Sequence, residues 1–396
     1  MLALEELINL PEESQEALGT TATAGEIAQQ PATWRGTRKI FKQHAERLRA
    51  FLEAAGVTGP LERRPTVVLT GAGTSDYIGQ SLALVLRSCW GCETQAIAST
   101  DLLLNMSDQL VPGRRYLMIS FSRSGDSPEG VAVLQRALER YPEIAHLIVT
   151  CNEKGRMAEL VDGRDRAYAV ILDDAVNDRG LAMTSSFTNM VVFGQCLAHT
   201  WSEATYEPVF EALVSSGERF LPIADAAARE LAEKKYRRVC VLGSGALTGV
   251  ARESALKVLE LTAGGVKTMA ESVLGLRHGP MAALDKETLL VCFLSSDSRR
   301  QSYEADLLRE VGEKEIVAQR VVVGPPNADH LVGCSEQYLA IGHGVPDLYR
   351  PPVDVMLGQL LGLYSSLAQG LKPDAPSPRG VISRVVGEFR IYEHCE

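Results

Sequence analysis

The chain has 396 residues, 45% of them apolar, and its 40 Lys and Arg against 50 Asp and Glu leave a formal net charge of −10. That length suits two domains with cores of their own, and the acidic balance excludes a general nucleic-acid binder, which would show a basic face. No apolar run approaches the ~18 residues needed to span a bilayer, and the acidic start MLALEELINLPEESQEAL lacks the basic opening of a signal peptide, so a cytoplasmic protein without membrane contact is expected.

Residues 1–49 read as a helical arm, because Trp34, Ile40, Phe41, Ala45, Leu48, Phe51 and Leu52 recur at helical spacing. The apolar run Pro65–Thr70 predicts a strand, followed by the glycine turn GAGTS at Gly71–Ser75 and a helix over Ser75–Leu86. Tyr116–Phe121 is a second strand, meeting a serine-rich turn at Ser122–Ser127 and a helix over Pro128–Arg140. Ala145–Thr150 and Ala167–Leu172 are further strands, and Tyr206–Asp225 holds a linker helix. The pattern then repeats. Arg238–Leu242 runs into the turn GSGAL at Gly243–Leu247 and a helix over Gly249–Thr262, and Leu289–Leu294 runs into SSDS at Ser295–Ser298. Gly71 and Gly243 are 172 positions apart (243 − 71), and so are Ile119 and Val291. Two matched strand–turn units at one offset imply two copies of one domain. With Ala318–Val323 as another strand, the expected fold class is α/β: two parallel sheets flanked by helices, over residues 50–205 and 215–375. Residues 376–396 form a tail, with a loop at Pro373–Pro378 and a strand-like stretch over Gly380–Tyr392.

The eight cysteines are scattered: Cys89, Cys92, Cys151, Cys196, Cys240, Cys292, Cys334 and Cys395. Most lie in apolar segments, as reduced buried thiols do. Cys89 and Cys92 form one CxxC, with no second pair to complete a zinc site, and the seven histidines show no metal-binding spacing. No metal is expected.

Two segments carry chemistry. In Ser122-Arg123-Ser124-Gly125-Asp126-Ser127, three hydroxyls lie between a strand and a helix whose first position suits Pro128. Ser127 suits the N-cap and the other serines suit a turn, which is the plain structural reading. Free amides at a helix N-terminus flanked by hydroxyls also make an anion site. Thr74 and Ser75, from the neighbouring glycine turn, lie on the same carboxyl edge of the expected sheet. In the second half, Glu253, Lys257 and Glu260 occupy i, i+4 and i+7 of one helix face. A solvated ion-pair stripe would have that spacing, but the flanking residues are apolar, and a carboxylate beside a lysine near a phosphate pocket can take and return a proton. His278 follows in a Gly- and Pro-interrupted loop, where a side chain is free to face a site.

These motifs resemble the tandem SIS (sugar isomerase) proteins over nearly the whole chain after the arm. GAGTS, SFSRSGDSPE, TSSFTNM, ESALKVLEL and LRHGP fall in the order and spacing of the isomerase half of glucosamine-6-phosphate synthase. TAGEIAQQPATW, NDRGLAMTSSFTNM and ESVLGLRHGP are similar to the AgaS-type galactosamine-6-phosphate deaminase/isomerases, also described as tagatose-6-phosphate ketose/aldose isomerases. The resemblance implies three-layer flavodoxin-like domains and a phosphorylated amino sugar as substrate, with no cofactor. It also implies a homodimer or larger assembly with shared sites. Ser122, Ser124 and Ser127 match the family's phosphate loop, Thr74 and Ser75 its first-turn hydroxyls, and Arg123 and Thr184 stand at further substrate-side positions. Glu260 matches the proton-shuttling glutamate, Glu253 and Lys257 its companions, and His278 the ring-opening histidine, which in the relatives reaches a neighbouring subunit's site. The expected reaction converts galactosamine 6-phosphate to tagatose 6-phosphate and ammonia. A plain aldose–ketose isomerase and a silent sugar-phosphate sensor are the alternatives. The sensor is disfavoured because no helix-turn-helix precedes the first domain. Two departures from the synthase stand out: no glutamine-hydrolysing domain is expected ahead of residue 50, and the tail offers Arg384 and Arg390 where the synthase closes its sugar site with a lysine.

Overall fold

The computed structural model describes residues 1–326, 331, 333–342, 344–387 and 389–392. The arm comprises α1 (Leu4–Ile8), α2 (Glu12–Leu18), α3 (Thr23–Ala28) and α4 (Gln30–Ala55). The first half follows as β1 (Thr66–Thr70), α5 (Thr74–Trp90), β2 (Thr94–Ala96), α6 (Ser99–Leu104), α7 (Met106–Gln109), β3 (Tyr116–Ser122), α8 (Pro128–Arg140), β4 (Ala145–Thr150), α9 (Arg156–Val161), β5 (Ala167–Ile171) and α10 (Ser185–Ala198). A long helix, α11 (Glu203–Glu233), extends the expected linker at both ends. The second half holds β6 (Arg238–Gly243), α12 (Leu247–Leu261), β7 (Lys267–Glu271), β8 (Thr288–Phe293), α13 (Ser298–Glu313), β9 (Gln319–Gly324), β10 (Gln337–Ala340) and α14 (Pro351–Ala368).

Both sheets are parallel, with orders β2-β1-β3-β4-β5 and β10-β9-β8-β6-β7. Read from β7, the second order repeats the first, so the two halves share one doubly wound topology. The repeat extends to register: Ile119 pairs with Leu69, and Val291, at the same offset, pairs with Val241. The strands are apolar on both faces because both faces are covered by helices.

One core runs from β1 and β3 through α5, α10, α12 and α14 to β6 and β8, so the inner helices are a layer shared by the two sheets. Every residue of α10 is buried. The arm clamps it: Trp34 Nε1 donates to Thr188 Oγ1 (3.1 Å) and Thr37 Oγ1 to Asn189 Oδ1 (2.7 Å). No helix of the described residues is long and apolar enough to cross a membrane. The described cysteines are free thiols, all buried except Cys89; Cys395 lies outside the described residues.

The tail corrects the sequence reading. No strand forms over its described residues between Gly380 and Tyr392, and Glu388 and residues 393–396 lie outside them. A strand needs an edge to pair with, and the tail instead crosses the first half, tied by Arg384. That guanidinium donates to the Asp178 carbonyl (2.6 Å) and to Asn177 Oδ1 (2.9 Å). Arg390 stacks over the Tyr392 ring, 4.9 Å from its centroid.

Candidate active site

The glycine turn after β1 leads into α5, and the serine turn after β3 leads into α8. They open toward opposite faces from adjacent strands, which leaves a crevice at the carboxyl edge where such folds bind ligands. Gly125 shapes the serine turn. Its φ is +68°, and a Cβ there would stand 3.0 Å from Gly155 Cα, so glycine alone fits without strain. Ser122 Oγ accepts from Gly125 N (3.1 Å) and Ser124 Oγ from Asp126 N (3.2 Å), leaving each hydroxyl proton to donate elsewhere. Ser127 stands at the N-cap of α8, yet its side chain makes no capping bond. Asp126 faces away from the crevice chemistry, accepting from Arg156 N (2.8 Å) and Asn152 Nδ2 (3.2 Å).

The corresponding turn of the second half is closed. The Asp347 carboxylate accepts from Ser295 Oγ (2.5 Å), Ser296 N (2.8 Å) and Ser296 Oγ (2.8 Å), with the buried Arg350 guanidinium 3.4 Å away. An internal carboxylate thus holds the donors that the first half leaves open.

The α12 triad is not a solvated stripe. Glu253 and Lys257 are each 0% exposed, whereas the Glu260 side chain keeps 25%. Lys257 Nζ donates to Glu260 Oε2 (2.7 Å) and to Thr74 Oγ1 (3.0 Å), and pairs with Glu253 Oε1 at 3.2 Å. Thr74 Oγ1 lies 3.3 Å from Glu253 Oε1, so the first residue of α5 and the face of α12 form one network across the two halves. Small residues permit the approach. A Cβ at Gly249 would strike Ser81 on α5, and at Gly358 and Gly362 of α14 it would strike Ser254 and the Lys257 backbone. Burial pushes the Glu253 carboxyl up to about 8, against the opposing pull of Lys257, and its Oε2 has no partner. Burial would lower Lys257, but the two carboxylates outweigh it and hold it above its ordinary value.

Ser75 is buried next to Met183, its Oγ 3.9 Å from the sulfur. The other predicted residues stand apart. Arg123 is buried with its guanidinium turned from the crevice toward the Gly180 and Leu181 carbonyls (3.3 and 3.2 Å), and burial lowers its pKa. Thr184 is fully buried at the start of α10, its hydroxyl spent on Asp178 Oδ1 (3.1 Å). Asp178 was not singled out from the sequence; it accepts the amides of Thr184, Ser185 and Ser186 and so anchors the whole loop. Its signal in the sequence was its place as the second residue of the NDRGLAMTSSFTNM segment. His278 is exposed, in a short 3-10 turn at Gly275–His278, and makes no contact with the triad of its own chain.

No protein-family profile matches the chain. Over 383 residues it is 37% identical to the D-galactosamine-6-phosphate deaminase AgaS of Escherichia coli O157:H7, an alignment that covers 95% of this chain and 97% of the relative. The chain belongs to the AgaS family. Among solved structures, this AgaS-family chain superposes on the tagatose-6-phosphate ketose/aldose isomerase of Escherichia coli with a TM-score of 0.80 and 34% identity, over 93% of this chain and 97% of that one. A Clostridium novyi NT protein described as a candidate tagatose-6-phosphate ketose/aldose isomerase gives 0.91 and 31%, covering both chains throughout. The AgaS-family assignment and the doubly wound sheets agree with the fold and family expected from the motifs.

Proposed function

We propose that this protein is a deaminating isomerase that converts galactosamine 6-phosphate to tagatose 6-phosphate and ammonia, in the cytoplasm and as a homo-oligomer. The observation that carries the reading is the Thr74–Glu253–Lys257–Glu260 network, in which a solvent-reachable carboxylate stands beside a buried ammonium that is bonded to the glycine turn after β1. The names of the E. coli relatives supply the sugar. Ser122, Ser124 and Ser127, with the α8 amides and the turn bearing Thr74 and Ser75, hold the phosphate. His278 of a neighbouring copy opens the pyranose ring. Glu260 takes the C2 proton of the open 2-amino aldose and returns it to C1, giving a 2-imino ketose. Lys257 orients Glu260 and stabilises negative charge developing on the substrate oxygen. Water then adds to the C=N carbon, and ammonia leaves as the C2 carbonyl forms. No electrons leave the substrate, so the reaction needs no redox cofactor. Glu253 fixes the ammonium in place from below.

The deciding experiment incubates the protein with galactosamine 6-phosphate, glucosamine 6-phosphate and tagatose 6-phosphate, and assays ammonia and ketose separately. Equal ammonia and ketose from the galacto sugar supports the proposal. Interconversion of tagatose 6-phosphate with its aldose, and no ammonia from either amino sugar, would replace it with plain isomerisation.

The phosphate turn has its own test. Ser124→Ala is expected to raise KM roughly tenfold with little change in kcat, if one charge-assisted hydrogen bond of ~1.5 kcal/mol is lost. An unchanged KM in that variant and in the Ser122→Ala/Ser127→Ala pair would remove the turn from the site. The exposed His278 predicts complementation between copies. Mixing inactive Glu260→Gln and His278→Ala proteins should restore part of the activity, because hybrids contain an intact site. No recovery after proven subunit exchange would place both residues in one subunit.

A further inference from the structure

Beneath the serine turn, hydroxyls from four segments converge. Thr70 closes β1, Ser120 and Ser122 close β3, Ser99 follows β2 and Ser127 precedes α8. All five line one narrow cavity of about 10 Å³, room for one water-sized group, at the carboxyl edge of the first sheet. The cavity lies between β1 and β3, where the strand order reverses direction.

Two of these hydroxyls have no use within the described chain. Thr70 is 3% and Ser99 2% exposed, and neither Thr70 Oγ1 nor Ser99 Oγ has a hydrogen-bond partner. A buried hydroxyl left unpaired is unfavourable, so two around one cavity call for an outside acceptor. The cavity wall contains no carboxylate and no cation. It offers hydroxyl protons and, at the start of α8, backbone amides, among which the Ser127 side chain makes no capping bond. A donor-rich, uncharged wall at the N-terminus of a 13-residue helix suits an oxyanion, whose oxygens only accept.

We propose that Thr70 and Ser99 are further ligands of the sugar's phosphoryl group, donating to one phosphoryl oxygen that enters the cavity between Ser122 and Ser127. This rests on the reading of the serine turn as the phosphate site, and it adds two residues that lie outside that turn. Thr70 and Ser99 meet only because β2, β1 and β3 are neighbours. The reacting end of the sugar is held elsewhere, by α12, so the two hydroxyls act on binding and not on proton transfer.

The test measures the Kd of inorganic phosphate, and KM and kcat for galactosamine 6-phosphate, in Thr70→Val, Ser99→Ala and the double variant. Each single substitution should weaken phosphate and raise KM roughly two- to tenfold, with kcat nearly unchanged. The melting temperature should hold or rise, because an unpaired buried hydroxyl has gone. Thr70→Ser and Ser99→Thr keep the hydroxyls and should keep near-wild-type phosphate affinity. Unchanged phosphate affinity in the double variant overturns the proposal, and so does equal weakening by the hydroxyl-keeping pair. Ser124→Ala is the separating arm. If it weakens phosphate and Thr70→Val/Ser99→Ala does not, the turn remains the phosphate site without these two ligands. If neither weakens phosphate, the turn itself is not the site.

Discussion

Glu260→Gln protein should fold and bind the phosphosugar yet turn it over about 10²–10⁴ times more slowly, the range for loss of a general acid–base group. Glutamine keeps the shape and an acceptor oxygen for Lys257, so the 2.7 Å contact survives while the proton carrier goes. Of the two carboxylates beside the ammonium, Glu260 alone reaches solvent and therefore substrate; Glu253 is wholly enclosed. KM should change little. Incorporation of solvent deuterium at C1 and C2 should vanish together with turnover, because both need the same shuttle. Near-wild-type exchange in the variant would exclude Glu260 and turn attention to Glu253 and His278.

Lys257→Met should cost both activity and stability. It removes the cation from a pair whose side chains are 1% and 0% exposed and leaves Glu253 without a counter-charge, which costs about 3–5 kcal/mol once that buried carboxyl ionises. The loss should depend on pH, with a sign set by Glu253. Burial holds that carboxyl above its ordinary value, at about 8, so its contribution to stability is complete below pH 4.5 and is lost as pH rises through 8. In the variant nothing opposes the upward push, and the folded state resists ionisation still longer. Denaturant titrations should therefore show a larger deficit against the parent at pH 8.5 than at pH 5. Equal deficits at the two pH values, or none, would mean that Glu253 and Lys257 are not energetically coupled. Turnover should also fall at pH 5, where folding is least affected, because Glu260 loses the group that aims it.

The Glu253–Lys257–Glu260 face was legible because helix geometry is local. Residues at i, i+4 and i+7 share a face whatever surrounds them, so Glu253, Lys257 and Glu260 could be grouped from spacing. The strands at Ala145–Thr150 and within Pro65–Thr70 were legible because a strand covered on both faces is a short unbroken apolar run. β2, β7 and β10 were not. Thr94–Ala96, Lys267–Glu271 and Gln337–Ala340 are edge strands, paired on one side and partly exposed, so they need no apolar run and show none. The tail failed in the opposite direction, since alternating apolar residues there find no edge to join.

By itself, the sequence determined the repeat, the parallel α/β class, the serine turn and the α12 face, all properties of short segments or of a constant offset. Only the tertiary structure decided which carboxylate is reachable and that Thr74 meets Lys257 across the two halves. It also decided that Asp347 closes the second turn, and that Thr70 and Ser99 share a cavity. The physical reason is that burial and partner choice are set by strand order and helix packing, which join residues far apart in the chain. The glycines of α12 and α14 that bring those helices within touching distance carry no mark in the sequence of what they will touch.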